Sequence, residues 1–165
     1  MRRWLAKWSI LVPLLFSSFA LAQPAPDFRF TDSESGKTMM LSDLRGQVVY
    51  LDFWASWCAP CRQSFPFMNE LHERYKDRGL RILAVNVDES RDDAERFLQT
   101  TPADFRIVYD NNASIPPLYN VRAMPTAYYI DHKGQVIDTK MGFRLADRAA
   151  TEQRLVDLLK AAGTY

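Results

Sequence analysis

Cys58 and Cys61 are the only cysteines in this 165-residue chain, and they stand together in Trp57-Cys58-Ala59-Pro60-Cys61. At this spacing two sulfurs meet across one turn, as a dithiol or as a disulfide. Such a pair can pass two electrons without rearranging the fold, so thiol–disulfide exchange is the leading chemistry. If a helix begins after Cys58, that sulfur sits where free backbone N–H groups and the helix dipole favour an anion. Placements of this kind lower a cysteine pKa from ~8.5 to roughly 3.5–7.5. Cys61, one turn further in, is expected to be more buried and to remain a thiol until needed. The expected roles follow: Cys58 attacks, and Cys61 resolves the mixed disulfide. Two inert core thiols or a metal pair are the alternatives. Zinc wants four ligands, and His72 and His132 are the only histidines. His72 would lie about three helical turns beyond Cys61, too far to share an ion.

The elements that must position these sulfurs can be read around them. Val48-Val49-Tyr50-Leu51-Asp52-Phe53-Trp54 is a near-continuous apolar, β-rich run, which suits a strand covered on both faces. Asp52 interrupts it. A buried, unpartnered carboxylate is costly to ionise, so its pKa should rise and it should often be protonated. The other possibility is an aspartate that reaches solvent or a surface lysine at the strand edge. From Ala59 to about Asp77 the period turns helical, with Phe65, Met68, Leu71 or His72, and Tyr75 on one side. Pro60 fits the first turn, Pro66 should kink the helix, and Gly79 ends it.

Further along, Arg81 to Val87 reads as a second buried strand and Asp92 to Gln99 as a helix. Phe105 to Tyr109 is a third strand, and Ser114 starts a short helix through Tyr119. Thr126 to Ile130 and Gln135 to Met141 flank Asp131-His132-Lys133-Gly134, a hairpin signature. Leu155, Leu158 and Leu159 mark a last helix ending near Gly163. Ahead of the buried strand, Gln23 to Pro26 is an extended leader, Phe28 to Phe30 a short strand and Asp32 to Lys37 a turn. Met39 to Leu41 could pair back, with Ser42 capping a helical turn before Gly46. Strand–helix–strand early and hairpin–helix late predict an α/β fold, a central mixed sheet with helices on both faces.

Residues 1–22 have the make-up of a cleavable export signal: a basic head (Arg2, Arg3, Lys7), an apolar run to about Leu21 and a small-x-small Ala20-Leu21-Ala22 site. An uncleaved membrane anchor is the alternative. Residues 23–165 then form one domain. Removing the segment takes away three basic residues and no acidic one. The formal charge moves from +1 to −2, 18 basic against 20 acidic. No basic stripe or cluster points to nucleic acid. With no cysteine beyond the motif, the core must hold without a structural disulfide.

The run Asp52-Phe53-Trp54-Ala55-Ser56-Trp57-Cys58-Ala59-Pro60-Cys61-Arg62 resembles the active-site strand and helix of the thioredoxin superfamily. Ala25-Pro26-Asp27-Phe28 and Leu41-Ser42-Asp43-Leu44-Arg45-Gly46-Gln47-Val48-Val49 resemble its TlpA/ResA-like branch of exported thiol–disulfide reductases. Met124-Pro125-Thr126 resembles the superfamily's cis-proline loop, and Val85-Asn86-Val87-Asp88 shares its spacing. Together these motifs span nearly all of residues 23–165. The resemblance implies a thioredoxin-like fold with Cys58 and Cys61 as the redox-active pair and Asp52 as the acid–base partner of Cys61. It also implies a cis Met124–Pro125 bond whose neighbouring backbone meets substrate beneath a roof formed by Trp57, with Trp54 serving as packing.

The implied activity is reduction of oxidised protein clients in the periplasm, with electrons from a membrane thiol transporter. A monomer is expected, with no cofactor and no metal. Two departures stand out. Ser64 replaces the glutamate common in members that serve cytochrome c maturation, and Ala84 stands where thioredoxins place a lysine near the aspartate. Two other activities would use the same sulfurs. A thiol peroxidase needs Pro-x-x-x-Thr/Ser-x-x-Cys, but Leu51 and Ala55 precede Cys58, and Trp54 and Cys58 precede Cys61. A copper(I) chaperone could use the two thiolates, though no histidine or methionine cluster adjoins them.

Overall fold

The computed structural model describes residues 23–32 and 35–165; the signal-like segment 1–22 lies outside the described residues. In chain order the elements are β1 (Gln23–Pro24), β2 (Arg29–Thr31), β3 (Thr38–Met40), β4 (Val48–Trp54), α1 (Ala59–Tyr75), β5 (Leu80–Asn86), α2 (Arg91–Thr100), β6 (Arg106–Tyr109), β7 (Thr126–Ile130), β8 (Gln135–Met141) and α3 (Arg148–Ala161). Short 3₁₀ turns precede β4 (Leu41–Leu44) and β7 (Pro116–Tyr119). Six strands form one sheet in the order β1-β8-β7-β4-β5-β6, while β2 and β3 make a separate hairpin. β4 runs parallel to β5 and antiparallel to β7. The apolar run 48–54 is thus a central strand, and all seven of its residues are buried.

Alternation along the strands sorts the core into two layers. Val48, Tyr50 and Trp54 join Ile82, Ala84, Ala127 and Tyr129 on the face that receives Phe65 and Leu71 of α1, Phe97 of α2 and Leu155 of α3. Val49, Leu51 and Phe53 face the other way, with Leu83, Val85 and Tyr128. That layer is closed by Phe28 and Phe30 of the hairpin, by Leu41 and Leu44, and by Ile115 and Tyr119. Helical segments therefore cover both faces, but unequally: the three long helices share one, and the 3₁₀ turns and hairpin close the other.

Several local expectations are refined. The leader is not merely extended, since Gln23 and Pro24 pair with Val136 and Gln135 and cover the edge of β8. Ser42 does not cap the turn at 41–44. The Asp43 carboxylate does so, accepting the Met40 N–H at 2.8 Å, while Ser42 gives its N–H and hydroxyl to Asp27. α1 runs unbroken across Pro66 to Tyr75, and a 3₁₀ turn carries the chain to Gly79, whose φ of +88° reverses it. Gly134 (φ +80°) closes the β7–β8 hairpin, with the Asp131 carboxylate accepting the N–H groups of Lys133 and Gln135.

Candidate active site

The cysteines sit where β4 leaves the sheet and α1 begins. Cys58 is the N-cap of α1, with extended backbone (φ −83°, ψ 101°), and Pro60 lies in the first turn. Cys58 and Cys61 are joined by a disulfide with Cα atoms 5.3 Å apart. Cys58 is 3% exposed and Cys61 fully buried. The Cys61 N–H points at both the Cys58 carbonyl (3.1 Å) and the Cys58 Sγ (3.3 Å). That donor, with the helix dipole behind it, would stabilise a thiolate on the same sulfur once the bond is opened. Trp57 projects outward, 70% exposed.

The loop before Cys58 is clamped by Asp88, which sequence reasoning left without a role. Its buried carboxylate accepts the Ser56 N–H (2.9 Å), the Ser56 hydroxyl (3.0 Å) and the Asn86 side-chain amide (2.7 Å). The Ser56 carbonyl in turn accepts from Arg62 Nη2 at 3.1 Å, and the Arg62 guanidinium lies over the Phe97 ring. The strand Val85-Asn86-Val87-Asp88 carried the available signal: polar residues at the exit of an otherwise apolar strand. Below the motif, Trp54 is packing as expected. It is buried, its ring meets Phe65 and Phe97 at 4.9 and 4.8 Å, and its Nε1 donates to the Ala84 carbonyl.

Asp52 is 2% exposed, and its Oδ2 has no hydrogen-bond partner among the described residues. By alternation it faces the α1 side of the sheet. Its register neighbours are Ala84 on β5 and Ala127 on β7, neither of which carries a polar side chain. Burial alone pushes the Asp52 carboxyl well above the ordinary carboxylate range. An edge position with solvent or lysine contact is thereby ruled out. Ser64 is buried too, its hydroxyl donating to the Cys61 carbonyl at 3.1 Å. Position 64 thus brings no second carboxylate to the pair.

The Met124–Pro125 peptide is cis. Met124 is half-buried and Pro125 buried. The loop is fixed on each side by Thr126 Oγ1 donating to the Ala123 carbonyl (2.7 Å) and by the Gly142 N–H donating to the Pro125 carbonyl (2.8 Å). Because β7 pairs with β4, this loop lies at the same end of the sheet as the disulfide. Among the described residues, no three of His, Cys, Asp or Glu converge.

The chain that builds this site is similar to known proteins. The redoxin family profile matches residues 20–157. Thiol-disulfide oxidoreductase ResA of Geobacillus kaustophilus (strain HTA426) is 42% identical over 120 residues, 73% of this chain and 68% of the relative. The chain belongs to the redoxin family. This redoxin is a thiol–disulfide oxidoreductase with a thioredoxin-like fold, similar to the ResA proteins. Among solved structures, it resembles a Chlorobium tepidum protein described as a thiol:disulfide interchange protein DsbE (46% identity, TM-score 0.79, 84% and 96% of the two chains). It also resembles the exposed lipoprotein thioredoxin Etrx1 of Streptococcus pneumoniae strain TIGR4 (31% identity, TM-score 0.69, 81% and 100%).

Proposed function

We infer that this redoxin reduces disulfides in protein clients outside the cytoplasm, in the periplasm, after export through residues 1–22, and is itself re-reduced by a membrane thiol transporter. The observation that carries the reading is the asymmetry of the pair. Cys58 caps a helix with an N–H aimed at its sulfur, whereas Cys61 is sealed from solvent on the sheet face that holds an unpartnered carboxyl.

In the reduced protein the Cys58 thiolate attacks one sulfur of a client disulfide, and the other client sulfur leaves as a thiolate. Asp52, ionised at this point, takes the proton of the Cys61 thiol. The resulting Cys61 thiolate displaces the client from Cys58 and re-forms the Cys58–Cys61 bond. Two electrons pass to the client, whose sulfurs collect two protons from Asp52 and solvent. A carboxyl whose pKa burial has raised is better matched to a thiol than an ordinary one. Trp57 and the backbone at Met124, beside cis Pro125, offer the contacts that hold the client segment during the exchange, the latter as a short strand addition.

Trapping tests this assignment. Cys61→Ser should accumulate mixed disulfides on Cys58 in cells, and Cys58→Ser should accumulate none. A measured potential near that of the strong oxidants (about −120 mV) rather than of the reductants (about −270 mV) would overturn the reductive direction. A client carrying haem-attachment cysteines would connect the protein to cytochrome c maturation despite Ser64.

A further inference from the structure

The disulfide is flanked by a groove on each side, and both grooves carry an excess of positive charge. On one side Trp57 and Arg62 face Asp93 and Arg96 across an open groove. On the other, Pro60, from within the motif, faces Met141, Lys140, Arg144 and Asp147. Each groove thus holds two cations and one carboxylate. Arg96 is bound to Asp93. Lys140 Nζ (3.1 Å) and Arg144 Nε (2.9 Å) share Asp147, whose carboxyl is held below its usual range by the hydrogen bonds from Arg144 and Lys140. The carboxylate stays charged and each groove keeps one positive charge, although residues 23–165 together carry −2.

Exposed apolar surface coincides with this charge. Trp57 (70% exposed) and Met141 (64%) are two of the few large hydrophobic side chains left open, and one lies in each groove. Charge of one sign around a reactive centre steers approach and selects among partners more than it adds affinity.

We propose that the two grooves bind the client chain on either side of its disulfide and select clients whose flanking residues are acidic and apolar. This rests on the reductase reading above and names the substrate class for it. A carboxylate on the client can take over the contact of Lys140 or Arg144 with Asp147, or that of Arg96 with Asp93, while Trp57 and Met141 cover apolar neighbours. The positions of the charges, beside the sulfurs and within grooves, favour a polypeptide over an extended anionic surface.

The test uses three synthetic peptides with one internal disulfide, flanked on both sides by Glu, Gln or Lys. Second-order rates of reduction by the reduced protein are each divided by the rate with dithiothreitol, which removes the peptides' intrinsic reactivity. At low salt the Glu peptide should react about tenfold faster than the Lys peptide, and the ratio should approach one near 1 M salt, where screening acts within ~3 Å. The double variant Arg96→Glu/Arg144→Glu, checked for an unchanged melting transition, should invert the ratio. The wild-type salt series stands by itself if that variant does not fold.

Equal normalised rates at low salt, or a faster Lys peptide, would overturn the proposal while leaving the reductase reading intact. Equal rates accompanied by binding to phosphatidylserine vesicles would assign the charge to a membrane surface and likewise overturn it. Failure to reduce any of the three peptides would remove the reductase reading, and this proposal with it.

Discussion

Replacing Asp52 with asparagine should flatten the dependence of stability on pH. The carboxyl is buried between Ala84 and Ala127, and burial raises its pKa well above the ordinary value. In the unfolded chain it titrates near 3.9. Between that value and the raised native one, the folded protein keeps a proton that the unfolded chain has released. Stability must then fall as pH rises, by about 1.4 kcal/mol per pH unit for one proton. The loss begins near pH 4 and stops at the native pKa, where both states are ionised. Asparagine binds no proton, so the variant lacks this slope, and its own unmet hydrogen bonds add only a constant offset. Urea denaturation of the oxidised protein and of Asp52→Asn, at half-unit steps from pH 4 to 9, isolates the effect because all other titrating groups cancel in the difference. The upper break in that difference reports the native pKa of Asp52. A difference that does not change with pH would refute the reasoning, since it would mean that the carboxyl reaches water or a partner.

The same buried acid predicts a kinetic signature: resolution of the mixed disulfide slows as pH falls through the raised Asp52 pKa, and stopped-flow measurements on Asp52→Asn should lose that inflection. Asp88→Ala should cost about 3 kcal/mol in denaturant unfolding, because it strands the Ser56 and Asn86 donors. Asp88→Asn should cost only about 1 kcal/mol, since its amide oxygen still accepts two donors and its nitrogen can donate to the Ser56 hydroxyl. Phe65→Ala, which removes a ring packed on Trp54, Phe97 and Phe105, should cost about 3–5 kcal/mol in the same assay. Trp57→Ala should change stability by less than about 0.5 kcal/mol, as expected for an exposed side chain. It should nonetheless lower the rate of client reduction more than that of a small reference disulfide.

The site was legible in the sequence to the extent that its parts are local. A strand-rich apolar run holding an aspartate six residues ahead of the first of two cysteines one turn apart, followed by a helical period, marks β4, Asp52 and the start of α1. The glycine-closed turn at 131–134 likewise marks the β7–β8 hairpin. The Asp88 clamp was not legible, because its contacts reach 32 residues back to Ser56. The share of the faces was not legible either. The period of α2 says that Ala94, Phe97 and Leu98 turn inward, but not which side of the sheet they meet.

The order of residues along the chain by itself determined that two thiols stand at a strand–helix junction, and that an aspartate interrupts the apolar strand before them. Periodicity and turn chemistry act over a few residues, so they are written locally. The tertiary structure alone decided that Asp52 has alanines for neighbours on both adjacent strands, that the Met124–Pro125 loop returns to the disulfide's end of the sheet, and that cations gather in the grooves beside it. Those facts depend on cross-strand register and on helix placement. Both are set by how the whole core packs, not by any stretch of sequence.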